Sequence, residues 1–555
     1  CLAGMETYSE EARHAFEKTL GWLGQWACSR SFGLGSRLPW DKQFLIESLS
    51  DSTIYNAYYT VAHLLHGGNL DGSKPGEAGI LPEQMTDEVW DYVLRGDDLP
   101  KETTIPVPIL ERLRREFEYF YPIDLRVSGK DLITNHLTFL IYNHVAIFPK
   151  KHWPKSIRAN GHLLLNGEKM AKSTGNMMTI RDAIEQFGAD ATRFTLADAG
   201  DALEDANFVA KTADGAILKL YTEKEWIEEA LAEAEAGKLR TGAYTWNDRV
   251  FEAEIVKFAA EADKAYAAML YREAVKVGYY ELQNARNEYR KATTPPASAA
   301  EGEVYEGMHK DLVMKYVEVQ TLLLAPITPH WSENIWTELL KKPQSVMHAR
   351  WPVLTPPADS ASLLAAAEYV RGLGARIRSA EDQASKKKAK KGAAAEADES
   401  GPRTLRLYVA STFPAWQDEA LAVLKETWDE ATKKLSGNEK QLLAKKGLMK
   451  NKAVMPFIMT IKNCAKMLKL TLPSPAARPK QQNVEAIGGA AFDRKLPFNE
   501  AETLASNLDF VRRELAMFRI AKVEVVNKEN VAAEDVEDFK KADAAVPGQP
   551  AYRIL

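Results

Sequence analysis

Residues 159–176 read "ANGHLLLNGEKMAKSTGN", and no other stretch restricts the fold as strongly. "ANGHLLLN" alternates as a short strand does, and "MMTIRDAIEQFGADATRF" after the loop has helical spacing. A chain that leaves a strand through a glycine- and lysine-rich loop and enters a helix builds an α/β layer. Such a loop suits polyphosphate, because backbone N–H groups and the helix dipole favour an anion and ammonium groups add charge. Gly167 and Gly175 let the backbone bend, and Lys169 and Lys172 can converge on one phosphate if the loop curls. The competing reading is a solvated lysine loop, and the spacing is not that of a Walker loop. Residues 163–185 are therefore predicted to form strand, loop and helix, with both lysines facing the crevice at the strand ends.

At 555 residues the chain exceeds one domain, and at roughly 150 residues each it has room for three or four. The net charge of −5 gives no global pull toward nucleic acid, so any polyanion site is a local patch. Cys1, Cys28 and Cys464 are the only cysteines and lie far apart. Neither a disulfide framework nor a metal site is readable from them, which fits a reducing compartment. No run approaches 18 uncharged apolar residues, so no membrane partner is expected and the cytoplasm is the expected location. A sequence that starts at Cys1 and stops at "AYRIL" reads as a fragment.

Residues 1–205 mix short apolar runs with helical patterns, including "RVSG" before a helical "KDLITNHLTFLIYNHVAIF". Residues 206–355 turn helical, as in a bundle, with a long helix broken at Pro326 and Pro329 and a loop over 293–303. Residues 356–402 read as a linker, lysine-rich and partly disordered over 386–400. Residues 403–555 open on a strand, "TLRLYVAS", and carry another at 520–527, with long lysine-rich helices expected between them.

"VSGKDLITNH" sets Gly129, Asp131 and His136 at a strand end and the following helix. Gly129 permits close backbone approach, and Asp131 can accept from two ribose hydroxyls or simply cap the helix. His136 reads either as a site residue or as a satisfied core histidine.

The loop resembles the Lys-Met-Ser-Lys-Ser loop of class I aminoacyl-tRNA synthetases, with Ala171 in place of the middle serine. "VSGKDLITNH" is similar to that class's Gly-x-Asp/Glu element, and "RANGHLLLN" to the strand bordering adenine. The resemblance implies ATP, carried as Mg-ATP, with catalytic Lys169, Lys172 and Ser173. It implies an ATP site of Gly129, Asp131, His136, Gly161, His162, Met170 and the two lysines. "WLGQWACSRSFGLGSRLPWD", "LIESLSDSTIYNAYYT" and "LADAGDALEDANF" resemble cytosolic leucyl-tRNA synthetases of the archaeal and eukaryotic type. By that resemblance Ser52, Tyr55 and Tyr59 belong to the leucine pocket, although aromatic residues there are equally core-like.

The class's His-Ile-Gly-His element has no match, and the insertion that hydrolyses mischarged tRNA is missing. The expected fold is thus α/β plus all-α. It comprises the second half of a Rossmann-like catalytic domain (1–205), a helical tRNA-binding bundle (206–355), the linker, and a small C-terminal α/β domain (403–555). The implied activity is leucine activation and transfer to tRNA(Leu), with this fragment alone inactive. The alternative is a non-catalytic tRNA- or protein-binding module. The resemblance implies leucine, ATP and tRNA(Leu) as partners and admits a multi-synthetase assembly.

Overall fold

The structure, a computed structural model, describes residues 1–295, 305–390, 401–429, 434–462, 496–532 and 534–555. It divides into two compact units. One comprises Cys1–Glu228, Glu261–Tyr279 and Thr321–Arg350; the other comprises Glu229–Ala260, Tyr280–Gln320 and Trp351–Leu555.

The first unit begins with helix α1 (Glu10–Trp22), capped by the Ser9 side chain, which accepts from the Ala12 amide. Helices α2 (Tyr55–Leu65) and α3 (Val107–Phe120) face each other through Ala57, Val61 and Leu64 on one side and Leu110, Leu113 and Phe117 on the other. These 3- and 4-residue steps place each set on one helical stripe. Strand β1 (Arg126–Gly129) leads to α4 (His136–Ile147), and β2 (Ile157–Asn160) pairs with β1 in parallel, Gly129 opposite Asn160. Helix α4 is apolar around most of its circumference, and its first half is largely buried while Tyr142, Val145 and Ile147 are exposed. Its Leu137, Leu140 and Ile141 pack with Ala12 and Phe16 of α1 and Ile157 and Ala159 of β2.

The helix expected to start near Lys130 begins six residues later. A 3-10 turn over Lys130–Leu132 comes first, and Asn135, with non-helical φ and ψ, caps α4 through its side chain.

After β2 come β3 (Leu163–Leu165), the two-residue β4 (Glu168–Lys169), α5 (Ile180–Phe187), α6 (Ala189–Ala199) and β5 (Ala206–Phe208). Strand β3 pairs antiparallel with β4 and parallel with β5. The stretch expected as one helix after the loop is two, because Gly188 has φ of +80° and turns the chain between them. Helices α7 (Ala210–Glu235), α8 (Trp246–Ala267), α9 (Leu282–Thr293) and α10 (Lys310–Leu324) follow. The break after α10 falls where Pro326 and Pro329 placed it, and Pro329 opens the next short helix. The loop expected over 293–303 lies largely outside the described residues.

In the second unit, Asp248 of α8 is fully buried and accepts from the Tyr289 hydroxyl, the Arg240 guanidinium and the Thr245 amide. The Tyr289 hydroxyl in turn accepts from the His309 amide at 2.7 Å. One carboxylate thus ties the segment before α8 to Tyr289 of α9, and Tyr289 ties both to the segment before α10.

The expected linker is corrected by the structure. Residues Ser360–Lys390 form one helix, α11, whose Tyr369, Val370, Leu373 and Ile377 are buried. They recur at helical spacing, so this stretch carries an apolar stripe of its own and helps to build a core. Residues 391–400 lie outside the described set. Strand β6 (Arg403–Val409) forms the centre of a three-stranded sheet, followed in sequence by α12 (Ala415–Glu426), β7 (Ile520–Asn527), α13 (Val536–Asp543) and β8 (Ala551–Ile554). Strand β7 is parallel to β6 and β8 antiparallel. Leu405 and Leu407 face α11, whereas Tyr408 packs with Ala542 of α13, the period-2 division of a strand covered on both faces. Among the described residues after β6, α12 and Glu439–Lys445 are shorter than the long helices expected, and Val454–Lys462 runs up to the edge of the described set.

One buried histidine gives the first unit a pH dependence. His144 of α4 is fully buried, with Nδ1 donating to the Leu140 carbonyl at 2.8 Å and Nε2 accepting from the Tyr121 hydroxyl at 2.9 Å. Burial pushes its pKa down to about 4. The unfolded chain takes up a proton near pH 6.5 that the folded chain refuses, so stability is complete above that pH and falls between about 6.5 and 4. Thermal melts from pH 7.5 to 4.5 should show this loss, and His144→Phe should flatten that part of the profile.

Candidate functional site

Because β1 and β2 run in parallel, Gly129–Asp131 and Asn160–His162 emerge at the same carboxyl edge, the position where open α/β sheets bind ligands. At Gly129 a β-carbon would stand 2.7 Å from Asp131 Oδ1, so any larger residue would displace that carboxylate. Gly161 is under a stricter constraint. A β-carbon at 161 would penetrate the Glu204 carbonyl and lie 2.7 Å from the Leu203 oxygen, so the backbone of 203–204 crosses directly over it.

That crossing segment is tied down by Asp205, to which the sequence reading assigned no role. Its Oδ1 accepts from Lys130 Nζ at 2.5 Å and from the His162 amide at 2.9 Å, joining the ends of β1, β3 and β5. Lys130 also donates to the Leu203 carbonyl. Adjacent acidic and basic residues in "LEDAN" and "GKD" were the only sequence signal, and nothing local says that they pair.

Asp131 is exposed, and among the described residues none donates to its carboxylate. The capping role that competed for it is performed by Asn135, whose Oδ1 accepts from the His136 amide at 2.5 Å. His136 lies 6.4 Å from the Tyr55 ring, and the Arg126 guanidinium lies 5.9 Å from that same ring. Burial holds the His136 pKa below its ordinary value; the Ser52 backbone opposes this and Arg126 reinforces it, so the ring is neutral at pH 7. Asn143 of α4 donates to the Ser50 carbonyl at 3.0 Å and to Thr53 Oγ1 at 2.7 Å, which holds the turn bearing Ser52 against α4. Ser52, Tyr55 and His136 are thereby brought together. Tyr59 stacks edge-on with Tyr55 at 5.1 Å but is 67% exposed, and it lines a cleft of about 690 Å³ with Asn56, Phe120, Asp124 and Arg126.

The lysine loop leaves β3 through Asn166 and Gly167. The Gly167 amide donates to Asn207 Oδ1 at 2.7 Å, and Asn166 Oδ1 accepts from the Ala210 amide at 3.1 Å. Lys169 lies on β4 opposite Leu164; Lys172 opens a 3-10 turn over Lys172–Thr174 that Gly175 closes with φ of +73°. Lys169, Lys172 and Ser173 are exposed, whereas Met170 packs with Leu163, Leu165, Phe187 and Phe208. Met170 also forms part of the wall of a mostly apolar chamber of about 350 Å³ with Met178, Ile184 and Leu196. The loop then feeds α5, whose cap Thr179 accepts from the Asp182 amide while Asp182 accepts from the Thr179 amide, a capping box. Among the described residues no cluster of three or more His, Cys, Asp or Glu could hold a metal ion.

Known proteins resemble this chain in sequence. Residues 114–217 match the family model for class I tRNA synthetases (M), and 248–396 match the anticodon-binding domain of tRNA ligases. The first match points to the class I aminoacyl-tRNA synthetases and the second to tRNA ligases. Residues 409–470 match a third model, described as the leucine–tRNA ligase RagD-binding domain. The cytoplasmic leucine–tRNA ligase of Neurospora crassa is 45% identical over 99% of this chain and 47% of its own length. Those of Saccharomyces cerevisiae and Pongo abelii are each 43% identical over 99% of this chain, and over 48% and 44% of their own lengths. The chain belongs to the family of cytoplasmic leucine–tRNA ligases. It spans about half the length of the curated relatives it matches.

The Asp205 tie can be tested directly. Lys130 first, then the His162 amide, hold its carboxyl below the ordinary range. The tie is therefore complete above about pH 4 and is lost only as the pH falls below that. Asp205→Ala should speed hydrogen exchange at His162, and Asp205→Asn, which can still accept from that amide, should do so less. Exchange mass spectrometry over 160–164 reads both.

Proposed function

We propose that the chain carries the ATP-facing strand ends and tRNA-binding regions of a leucine–tRNA ligase, which activates leucine with Mg-ATP and transfers it to tRNA(Leu). The observation that carries this reading is the set of unengaged charges. Lys169, Lys172 and the Asp131 carboxylate make no hydrogen bond or ion pair with a described residue, although the backbone around each is fixed. Charges held on a pinned backbone and left without partners are available to a substrate.

In activation, a leucine carboxylate oxygen bonds to the α-phosphorus as the α–β phosphoanhydride bond breaks, and pyrophosphate leaves with its electron pair. Lys169 and Lys172 offset the charge growing on the leaving group, with Ser173 beside them. Asp131 accepts from the ribose hydroxyls, and Gly129, Gly161 and His162 form the strand ends that the nucleoside borders. Met170 anchors the loop from below. Neutral His136, with Ser52, Tyr55 and Tyr59, borders the amino-acid side. Mg²⁺ supplies charge neutralisation on the triphosphate, the usual mode for that ion. The anticodon-binding match supports tRNA contact by the helical region, and the relatives' names support a cytoplasmic location. The RagD-binding match supports a second, protein-binding reading for 409–470 alone.

Two tests follow in the full-length ligase. Lys169→Ala and Lys172→Ala should each slow leucine-dependent ATP–pyrophosphate exchange by about 10²–10³-fold while tRNA affinity changes little. Asp131→Ala should weaken ATP binding by about 1.5–3 kcal/mol at unchanged melting temperature. Asn135→Ala should show the reverse, costing about 0.5–2 kcal/mol of stability. Equal activation by wild type and both lysine variants would remove the lysines from the reaction.

A further inference from the structure

The lysine loop has two halves, and one residue touches both. Asn176 Nδ2 lies 3.4 Å from the Leu165 carbonyl, 3.4 Å from that of Glu168 and 3.3 Å from that of Lys169. Its own backbone carbonyl accepts from the Ala171 amide at 3.0 Å, immediately before the turn that starts at Lys172. Thr174 Oγ1 closes the same turn, accepting from the Asn176 amide at 3.4 Å and donating to the Ala171 carbonyl at 3.1 Å.

We propose that Asn176 is the positioning residue of the lysine loop, setting the Lys169 segment and the Lys172 turn in one fixed relation. The proposal rests on the reading of the two lysines given above. Among the described residues no other side chain donates to the Glu168 or Lys169 carbonyl. The amide is centred among three acceptors at distances longer than the usual 2.9–3.0 Å, so no single bond is strong. The grip comes from spanning β3, β4 and the turn at once. Two of the three carbonyls it leaves, those of Glu168 and Lys169, belong to exposed residues, so global stability changes little while the spacing of the two ammonium groups loosens. Charge stabilisation depends on groups held in place before the reaction, so the loosening falls on the chemical step.

The test pairs exchange kinetics with a double-mutant cycle in the full-length ligase. Asn176→Ala should lower kcat for leucine-dependent ATP–pyrophosphate exchange by about tenfold, with little change in KM for ATP. Asn176→Asp keeps the shape but turns the donor into an acceptor facing three carbonyls, so it should be at least as impaired. In a Lys169→Ala background the further loss from Asn176→Ala should nearly vanish, because residues acting through one another are not additive. In this chain, Asn176→Ala should speed hydrogen exchange over 168–176 without lowering the melting temperature. Full activity of Asn176→Asp, equal losses in both backgrounds, or unchanged exchange would each overturn the proposal. If Lys169→Ala alone is inert, the reading of the lysines fails, and the exchange measurement still decides whether Asn176 holds the loop.

Discussion

The passage of the Leu203–Glu204 backbone over Gly161 is the contact on which the site depends. Only glycine permits it, and everything near the strand ends is referred to it. Arg158 of β2, itself buried, donates to the Asp201 carbonyl and to that of Met269. The Asp201 carboxylate accepts from the Arg272 amide at 3.0 Å, and Asp205 then takes Lys130 and the His162 amide. A segment without regular structure is thereby made rigid by close backbone contact and paired charges. Because Asp205 occupies Lys130, the neighbouring Asp131 faces no competing cation from its own turn.

What was legible in the sequence is what local chemistry dictates. The lysine loop, the Gly-x-Asp element and the proline break after α10 each announce themselves within a few residues. Less legible were features decided by partners distant in sequence. Asn135, not Asp131, caps α4, because the chain first makes a 3-10 turn that the apolar pattern of "KDLITNHLTFL" conceals. The reading of 356–402 as a linker weighed the lysine and alanine run above the Tyr369–Ile377 stripe. That stripe is covered by β6 and β7, and β7 starts more than a hundred residues later. Strand β8 lies at the end of the described chain and shows no strong alternation; its pairing with β6 supplies the order that its sequence does not.

The second unit treats buried charge differently from the site. Asp248 is enclosed with three donors, and Asp538 of α13 is buried beneath Arg406 and Arg553, with both guanidinium groups donating to it. Such carboxylates are committed: each neighbouring donor would be left unpaired without them, so they specify one arrangement of their elements. At the strand ends the reverse holds. Backbone groups are satisfied first, by Asn135, Asn166, Asn207 and Asp205; Lys130 pairs with Asp205, and Asp131, Lys169 and Lys172 are left over.

That division explains why the loop rests on an apolar chamber instead of a packed core. Met170 gives it one hydrophobic anchor, but the 350 Å³ space beneath leaves its underside short of contacts, so hydrogen bonds carry most of its restraint. Segments with few buried contacts lie at the low-stability end of a fold and open without global unfolding. In the reaction proposed above, a loop that grips a polyphosphate through one step and releases it after the next would need that property. Polar clamps suit it better than apolar packing, because their geometry is definite while their net strength, at about 0.5–1.5 kcal/mol each, stays small. The asparagines of this region supply direction without depth, and the lysines keep their reach.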